Sequence, residues 1–244
     1  MLQALQDSTK SSALAVVEKG PATLQTLQST YQKHFSVAPL SAVQKAYAAA
    51  DVTSNDAAAA LVEATQDATD AILGDMVLLE QYIHLTIPKM EDGNNFGVTV
   101  QLTVLKQITD SKDLLTKNLD ELSKYASSRA DALEKCKLPS QSTSVSTTKS
   151  QSDAAGNDKE KGDTKTTQTS TTKEEKTTES SSVSPELKYR KMAVTAVDVA
   201  YFSKAKNLFQ TAMIGYMAAL DFMSKNSDKI ALPKGSEGKY ASMY

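Results

Sequence analysis

Leu14, Val17, Leu24, Leu27 and Tyr31 recur at helical spacing, which lays them along one face of a helix, and the Gly20-Pro21 pair among them predicts a kink or break. A second helical piece begins near Leu40. Its run Asp51-Val52-Thr53-Ser54-Asn55-Asp56 predicts a break, with Ser54, Asn55 or Asp56 as the cap of the helix that continues. Beyond the break, Leu61, Ala68, Ile72, Met76, Leu79 and Ile83 form one stripe. Leu73, Val77, Leu78, Tyr82 and Leu85 widen it past half the circumference. A third piece, 98–138, carries Leu105, Ile108, Leu115, Leu119, Leu122, Ala126 and Leu133 as a bundle seam that Lys112 interrupts. The fourth, 185–232, opens on Pro185 and Glu186 and is apolar nearly all round between 208 and 223. There Leu208, Ala212, Ala219 and Phe222 share one side, and Phe209, Met213, Tyr216, Leu220 and Met223 a neighbouring one.

Pro39, Pro88, Pro139, Pro185 and Pro233 separate these pieces, since a helix normally stops before such a residue. The expected fold is therefore all-α, an up-down four-helix bundle of long helices. A lone bundle covers only one stripe per helix, so the surplus apolar area on the second and fourth helices predicts an oligomer; a broad core within one chain is the competing reading.

Composition sharpens this picture at one segment. Between 139 and 184, 22 of the 46 residues are Ser or Thr, none is aromatic, and only Val145, Ala154, Ala155 and Val183 are apolar. Such a stretch buries too little surface to offset its ordering entropy, which predicts disorder. Leaving it out lifts the hydrophobic share from 40% to about 47%, within the range of ordinary folded domains. The chain holds 9 Gly and 6 Pro where average usage gives about 17 and 12, in keeping with helices rather than short strands.

The formal net charge of -2 offers no basic field for nucleic acid or an anionic membrane. No apolar run approaches the roughly 18 residues of a membrane span, the best being 213–220. The N-terminal Met1-Leu2-Gln3-Ala4-Leu5-Gln6-Asp7 lacks the continuous apolar core of a secretory signal. One cysteine, Cys136, excludes an internal disulfide framework and suits a reducing compartment. The expected location is the cytoplasm, with the nucleus left open because Lys188-Tyr189-Arg190-Lys191 is too short a basic cluster to decide.

Catalytic chemistry finds little support. His34 and His84 are the only histidines, and with one cysteine they give no metal-ligand spacing. There is no nucleophile elbow and no phosphate-cradling glycine loop. Cys136, between Lys135 and Lys137, has no base or orienting group beside it in sequence. The expectation is a non-enzyme without cofactor or metal.

The densest polar information is Ile87-Pro88-Lys89-Met90-Glu91-Asp92-Gly93-Asn94-Asn95-Phe96-Gly97-Val98. Pro88 ends the second helix, Asp92-Gly93 and Asn94 supply turn conformations, and Asn95 suits a cap for the third. Glu91 and Asp92 suggest calcium, but the regular oxygen spacing and distal Glu of an EF-hand loop are missing. Composition alone favours a solvated turn carrying a buried-type aromatic over a binding loop.

As a sequence, however, this run closely resembles the activation loop of the 11S proteasome activators, the REG family. Leu122-Ser123-Lys124-Tyr125, Ser128-Arg129-Ala130-Asp131-Ala132 and Pro233-Lys234-Gly235 are similar to family segments at those places. The resemblance implies a ring of seven subunits docked on the outer α-subunit ring of the proteasome core particle, acting without ATP. It implies an activation loop at 88–97 that opens the gate through Glu91, Asp92, Gly93, Asn94, Asn95, Phe96 and Gly97. It also implies a tail at 233–244 whose Ala241, Ser242, Met243 and Tyr244 bind between core-particle subunits.

On this reading 1–138 holds helices one to three, 139–184 is an insert, and 185–232 is helix four. Pro233, Gly235 and Gly238 then release a flexible arm, and several weak tails on one ring bind together through effective concentration. Four antiparallel passes put the loop and the C-terminus at one end. One departure stands out: animal members carry their low-complexity insert between helices one and two, whereas here it lies between three and four. Asp158-Lys159-Glu160-Lys161 and Lys173-Glu174-Glu175-Lys176 resemble those Lys/Glu-rich inserts. The alternative reading keeps the bundle as an oligomeric scaffold or adaptor with a different partner.

Overall fold

The interrupted periodicity becomes helices throughout the computed structural model, which describes residues 2–35, 39–89, 95–136 and 185–234. Among these residues the elements are α1 (Leu2–His34), α2 (Leu40–Ala49), α3 (Asp56–Thr86), α4 (Phe96–Ser123), α5 (Tyr125–Cys136), α6 (Pro185–Lys225) and α7 (Ser227–Ala231). The insert assigned to 139–184, residues Glu91 to Asn94 of the loop, and the tail from Gly235 to Tyr244 lie outside the described residues.

Paired side chains establish the up-down course. Asn55 meets Asp198 and Asp75 meets Tyr216, so α3 and α6 run parallel; Gln101 meets Thr86 and Thr109 meets Glu80, so α4 is antiparallel to α3. Gly20 faces Leu220 while Phe35 stacks near Phe202, which makes α1 antiparallel to α6. α3 and α6 are the central pair, and each packs against both α1 and α4. At 41 residues, α6 is about 60 Å long and traverses the whole bundle.

Of two expected interruptions, one is absent and one is present. α1 runs unbroken through Gly20-Pro21. A Cβ on Gly20 would lie 2.5 Å from Leu220 Cδ1, so the glycine serves close approach of α1 to α6, and packing on two neighbours holds Pro21 inside the helix. The 51–56 break is real and Asn55 is its cap, accepting from the Ala58 N–H at 3.1 Å. The third and fourth pieces are interrupted once each. Lys124 separates α4 from α5 and Asn226 separates α6 from α7, both with ψ near zero.

The register of the core also shifts at helix ends. On α1, Ala13 and Val16 are buried while Leu14 is exposed, and on α4 Val104 is more deeply buried than Leu105. After the interruption at Lys124, Tyr125 and Arg129 turn inward and Ala126 outward. Lys112, the gap in the α4 seam, pairs with Glu80 of α3, which also accepts from Thr109 Oγ1 at 3.0 Å. Burial pushes the Glu80 carboxyl up, but the hydrogen bonds from Lys112 and Thr109 outweigh it and leave its pKa below the usual carboxylate range.

The oligomer argument drawn from α6 needs correction. Both stripes are largely covered within the chain, with Leu208, Phe209, Ala212, Tyr216, Ala219, Leu220 and Met223 all buried and Phe222 left partly open. The broad intrachain core accounts for them, because α6 is central and packs on α1, α3, α4 and α5 together. What remains exposed lies elsewhere: Ile214 and Met217 on α6, Leu102 and Leu114 on α4, Val77 and Leu85 on α3. No helix among the described residues is long and apolar enough to cross a membrane.

Candidate functional site

One end of the bundle gathers the exit from α3, the start of α4 and the short α7. α3 closes at Thr86, whose hydroxyl donates to the Tyr82 and Ile83 carbonyls at 3.1 and 2.9 Å, and Ile87 N–H still reaches Ile83 O at 3.2 Å. Pro88 then prevents continuation. Asn95 occupies the N-cap position of α4 but makes no side-chain cap bond; its carbonyl accepts from the Thr99 N–H at 2.9 Å and the Thr99 hydroxyl at 3.2 Å. Phe96, read from sequence as a buried-type aromatic, is 66% exposed on the first turn of α4. Gly97 is buried.

The reason for glycine at 97 is the neighbouring chain. A Cβ there would sit 2.0 Å from the carbonyl oxygen of Pro233, so the first turn of α4 lies directly against the root of the C-terminal segment. That root is itself anchored. Ile230 of α7 is fully buried, and α7 packs against α3, α4 and α6. Of the sequence-assigned site residues, the structure therefore brings Gly97 against the tail root at Pro233, with Asn95 and Phe96 just before it in the chain.

Sequence reasoning missed the residue that ties this end together. Gln101 lies one turn into α4 and is 0% exposed. Its Nε2 donates to Ile230 O at 2.8 Å, to Thr86 O at 3.1 Å and to Thr86 Oγ1 at 3.2 Å. The reversed amide would set its oxygen against two backbone carbonyls, so the network fixes the orientation. Its Oε1 is buried and meets no donor among the described residues. An orphaned buried acceptor costs about 1–3 kcal/mol, a cost retained here beside the two donors of the same amide, one to Ile230 O and one shared by the two oxygens of Thr86. A polar residue at a core position of the helical pattern was the available signal.

The opposite end is pinned by a second buried polar cluster. Asp198 of α6 accepts from Arg129 Nε at 3.0 Å, Tyr125 Oη at 2.9 Å and Asn55 Nδ2 at 2.9 Å. The guanidinium of Arg129 continues to the carbonyls of Val52 and Thr53 at 3.0 and 3.1 Å, fixing the α2–α3 break. Burial and then the Asp198 hydrogen bond hold the Tyr125 phenol well above its ordinary pKa. Beside this cluster, Ala48, Val52, Leu133, Cys136, Lys188 and Met192 line an open groove of about 990 Å³. The helix ends that flank 137–184 thus lie at the end of the bundle away from Gly97 and Pro233. Among the described residues no three His, Cys, Asp or Glu side chains gather as metal ligands.

Comparison with known proteins points in one direction. Residues 51–144 match the family model described as proteasome activator PA28, C-terminal. The chain is 43% identical over 58 residues to proteasome activator 28 of Dictyostelium discoideum, a segment covering 24% of this chain and 26% of that protein. It is 41% identical over 59 residues to proteasome activator complex subunit 2 of Homo sapiens, covering 24% and 25%. The matched segment spans about a quarter of these curated relatives. In fold, the chain superposes on the 11S subunit of the Plasmodium falciparum proteasome, PA28, with TM-score 0.60 and 17% identity, over 96% of this chain and 92% of that one. It superposes on a chain of an archaeal 20S proteasome in complex with mutated P26 activator with TM-score 0.64 and 17% identity, over 95% and 93%.

Proposed function

We propose that this chain, whose likeness to the 11S proteasome activators is shown in a short segment and in overall fold, is a subunit of such an activator. On this reading it is a regulator and not a protease. It docks on the α-subunit ring of the proteasome core particle through its C-terminal tail, and its activation loop opens the gate without ATP. The observation that carries the proposal is the contact of Gly97 with Pro233: the return limb of the loop and the root of the tail share one end of the bundle. A tail that binds there delivers the loop to the same surface.

A ring needs two unlike faces, because a head-to-tail contact closes only if one face of a subunit fits a different face of the next. The exposed apolar residues supply candidates. Leu114 of α4 with Ile214 and Gly215 of α6 line a shallow groove of about 220 Å³, and Val77 and Leu85 lie on α3. Seven is the subunit number that the family likeness implies.

The test mixes the purified chain with core particles and a short fluorogenic peptide, with no nucleotide. Stimulated cleavage supports the reading. Silence from a chain that forms a ring on native mass spectrometry sinks it and leaves a scaffold; cleavage without core particles points to an enzyme.

A further inference from the structure

We infer that Gln101 is the positioning residue that locks the activation loop to the tail root, so that docking by the tail is transmitted to the loop. The inference rests on the activator reading and adds to it a residue that lies in neither the loop nor the tail. Gln101 spans three pieces of chain with one amide. Thr86 is the last residue of α3 before the loop, Gly97 and Gln101 begin the helix after it, and Ile230 belongs to the helix from which the tail departs.

The Gly97 contact with Pro233 is a steric approach and resists compression, whereas the Gln101 bonds resist separation. Together they fix the distance between loop and tail in both directions. A loop on an unfixed stem would yield when it pressed on the gate, because the tail could stay bound while the loop gave way. The buried polar amide suits such a joint better than an apolar side chain, since its bonds have direction and apolar packing does not. The joint therefore contributes to the open gate and not to the affinity of the tail.

The experiment compares the full chain with Gln101→Met, which keeps the buried volume and removes the donor. Ring formation is checked by native mass spectrometry, docking by the half-saturating concentration on core particles, and gate opening by maximal peptide stimulation. The expected result is a split: maximal stimulation falls by about fivefold or more while the half-saturating concentration moves by less than about twofold. Unchanged maximal stimulation overturns the inference, and so does parallel loss of docking and stimulation. If Gln101→Met fails to assemble, Gln101→Asn, which keeps an amide but draws it back from Thr86 and Ile230, is measured in the same way and the same split is expected; its absence counts equally against the idea. Wild-type chain that does not stimulate at all removes the activator reading itself, which separates that failure from a failure of the joint.

Discussion

Arg129 and Asp198, 69 residues apart in sequence, form a buried ion pair with Nε 3.0 Å from Oδ1, and their side chains are only 11% and 3% exposed. The carboxylate takes two further donors, Tyr125 and Asn55, so the pair is part of a network that joins α3, α5 and α6 at the end remote from the tail. Replacing Asp198 by Ala leaves the guanidinium buried without its partner, and such losses cost about 3–5 kcal/mol. Urea denaturation should show a lowered midpoint of that order for Asp198→Ala, and a smaller loss for Arg129→Met together with Asp198→Leu. Equal losses in the single and double variants would mean that the desolvated charge is not what the network compensates.

Two phenols, one in this network and one farther along α6, set an alkaline limit. Tyr125 and Tyr216 both have phenols raised above the ordinary value of 10.0, first by burial and then by hydrogen bonds to Asp198 and Asp75. A raised folded pKa means that the unfolded chain releases the proton first, so stability is full below about pH 10 and falls as pH rises beyond it. The denaturation midpoint should therefore drop progressively as pH rises above about 10. Tyr216→Phe, which cannot ionise, should flatten part of that slope. An identical slope in the variant would show that other groups govern it.

Gly20 faces Leu220 at a distance that leaves no room for a methyl group. Gly20→Ala gains helix propensity of about 1 kcal/mol, but Leu220 is buried and has little freedom to move, so overpacking of about 1–3 kcal/mol should dominate. In a Leu220→Ala background the sign should reverse, and Gly20→Ala should stabilise by about 0.5–1 kcal/mol. A double-mutant cycle measured by thermal denaturation decides this; additive effects would show that the two helices do not meet there.

Gly20 also shows where the sequence was legible and where it was not. The long 3.6-residue stripes of α3 and α4 were readable, because Ile72, Met76, Leu79, Ile108 and Leu115 each repeat a pattern over many turns. A Gly-Pro pair inside such a pattern reads locally as a break, yet the helix continues because the neighbour that needs the space lies 200 residues away. The same limit hid the polar joints. Gln101, Arg129 and Asp198 sit at core positions where a period count expects apolar side chains, and their partners come from distant turns and from backbone carbonyls. The loop reading has a different source: its residues resemble a known family run, whereas its physical signal alone suggests a turn.

The loop and tail should separate by function. Asn94→Tyr should leave ring formation and docking intact while abolishing stimulated cleavage, because on the activator reading the loop acts on the gate after the tail has bound. Removal of Met243 and Tyr244 should instead abolish docking, seen as loss of co-sedimentation with core particles. If Asn94→Tyr rings stimulated normally, the loop assignment would be wrong even though the tail assignment survived.

Phe96 gives the sharpest test of the described part of the loop. It begins α4 with 66% of its surface exposed, directly before the buried Gly97 that abuts Pro233. With that much of its surface exposed the ring buries little area within its own chain, and its truncation there should change stability by no more than about 0.5 kcal/mol. At an interface the same ring supplies substantial apolar area, and aromatic anchors typically cost 1 kcal/mol or more when truncated. Phe96→Ala should therefore leave the denaturation midpoint unchanged and reduce stimulation of core particles by about fivefold or more. Should the variant lose stability instead, with stimulation per folded ring preserved, Phe96 would belong to the packing of its own subunit and not to the surface that meets the core particle.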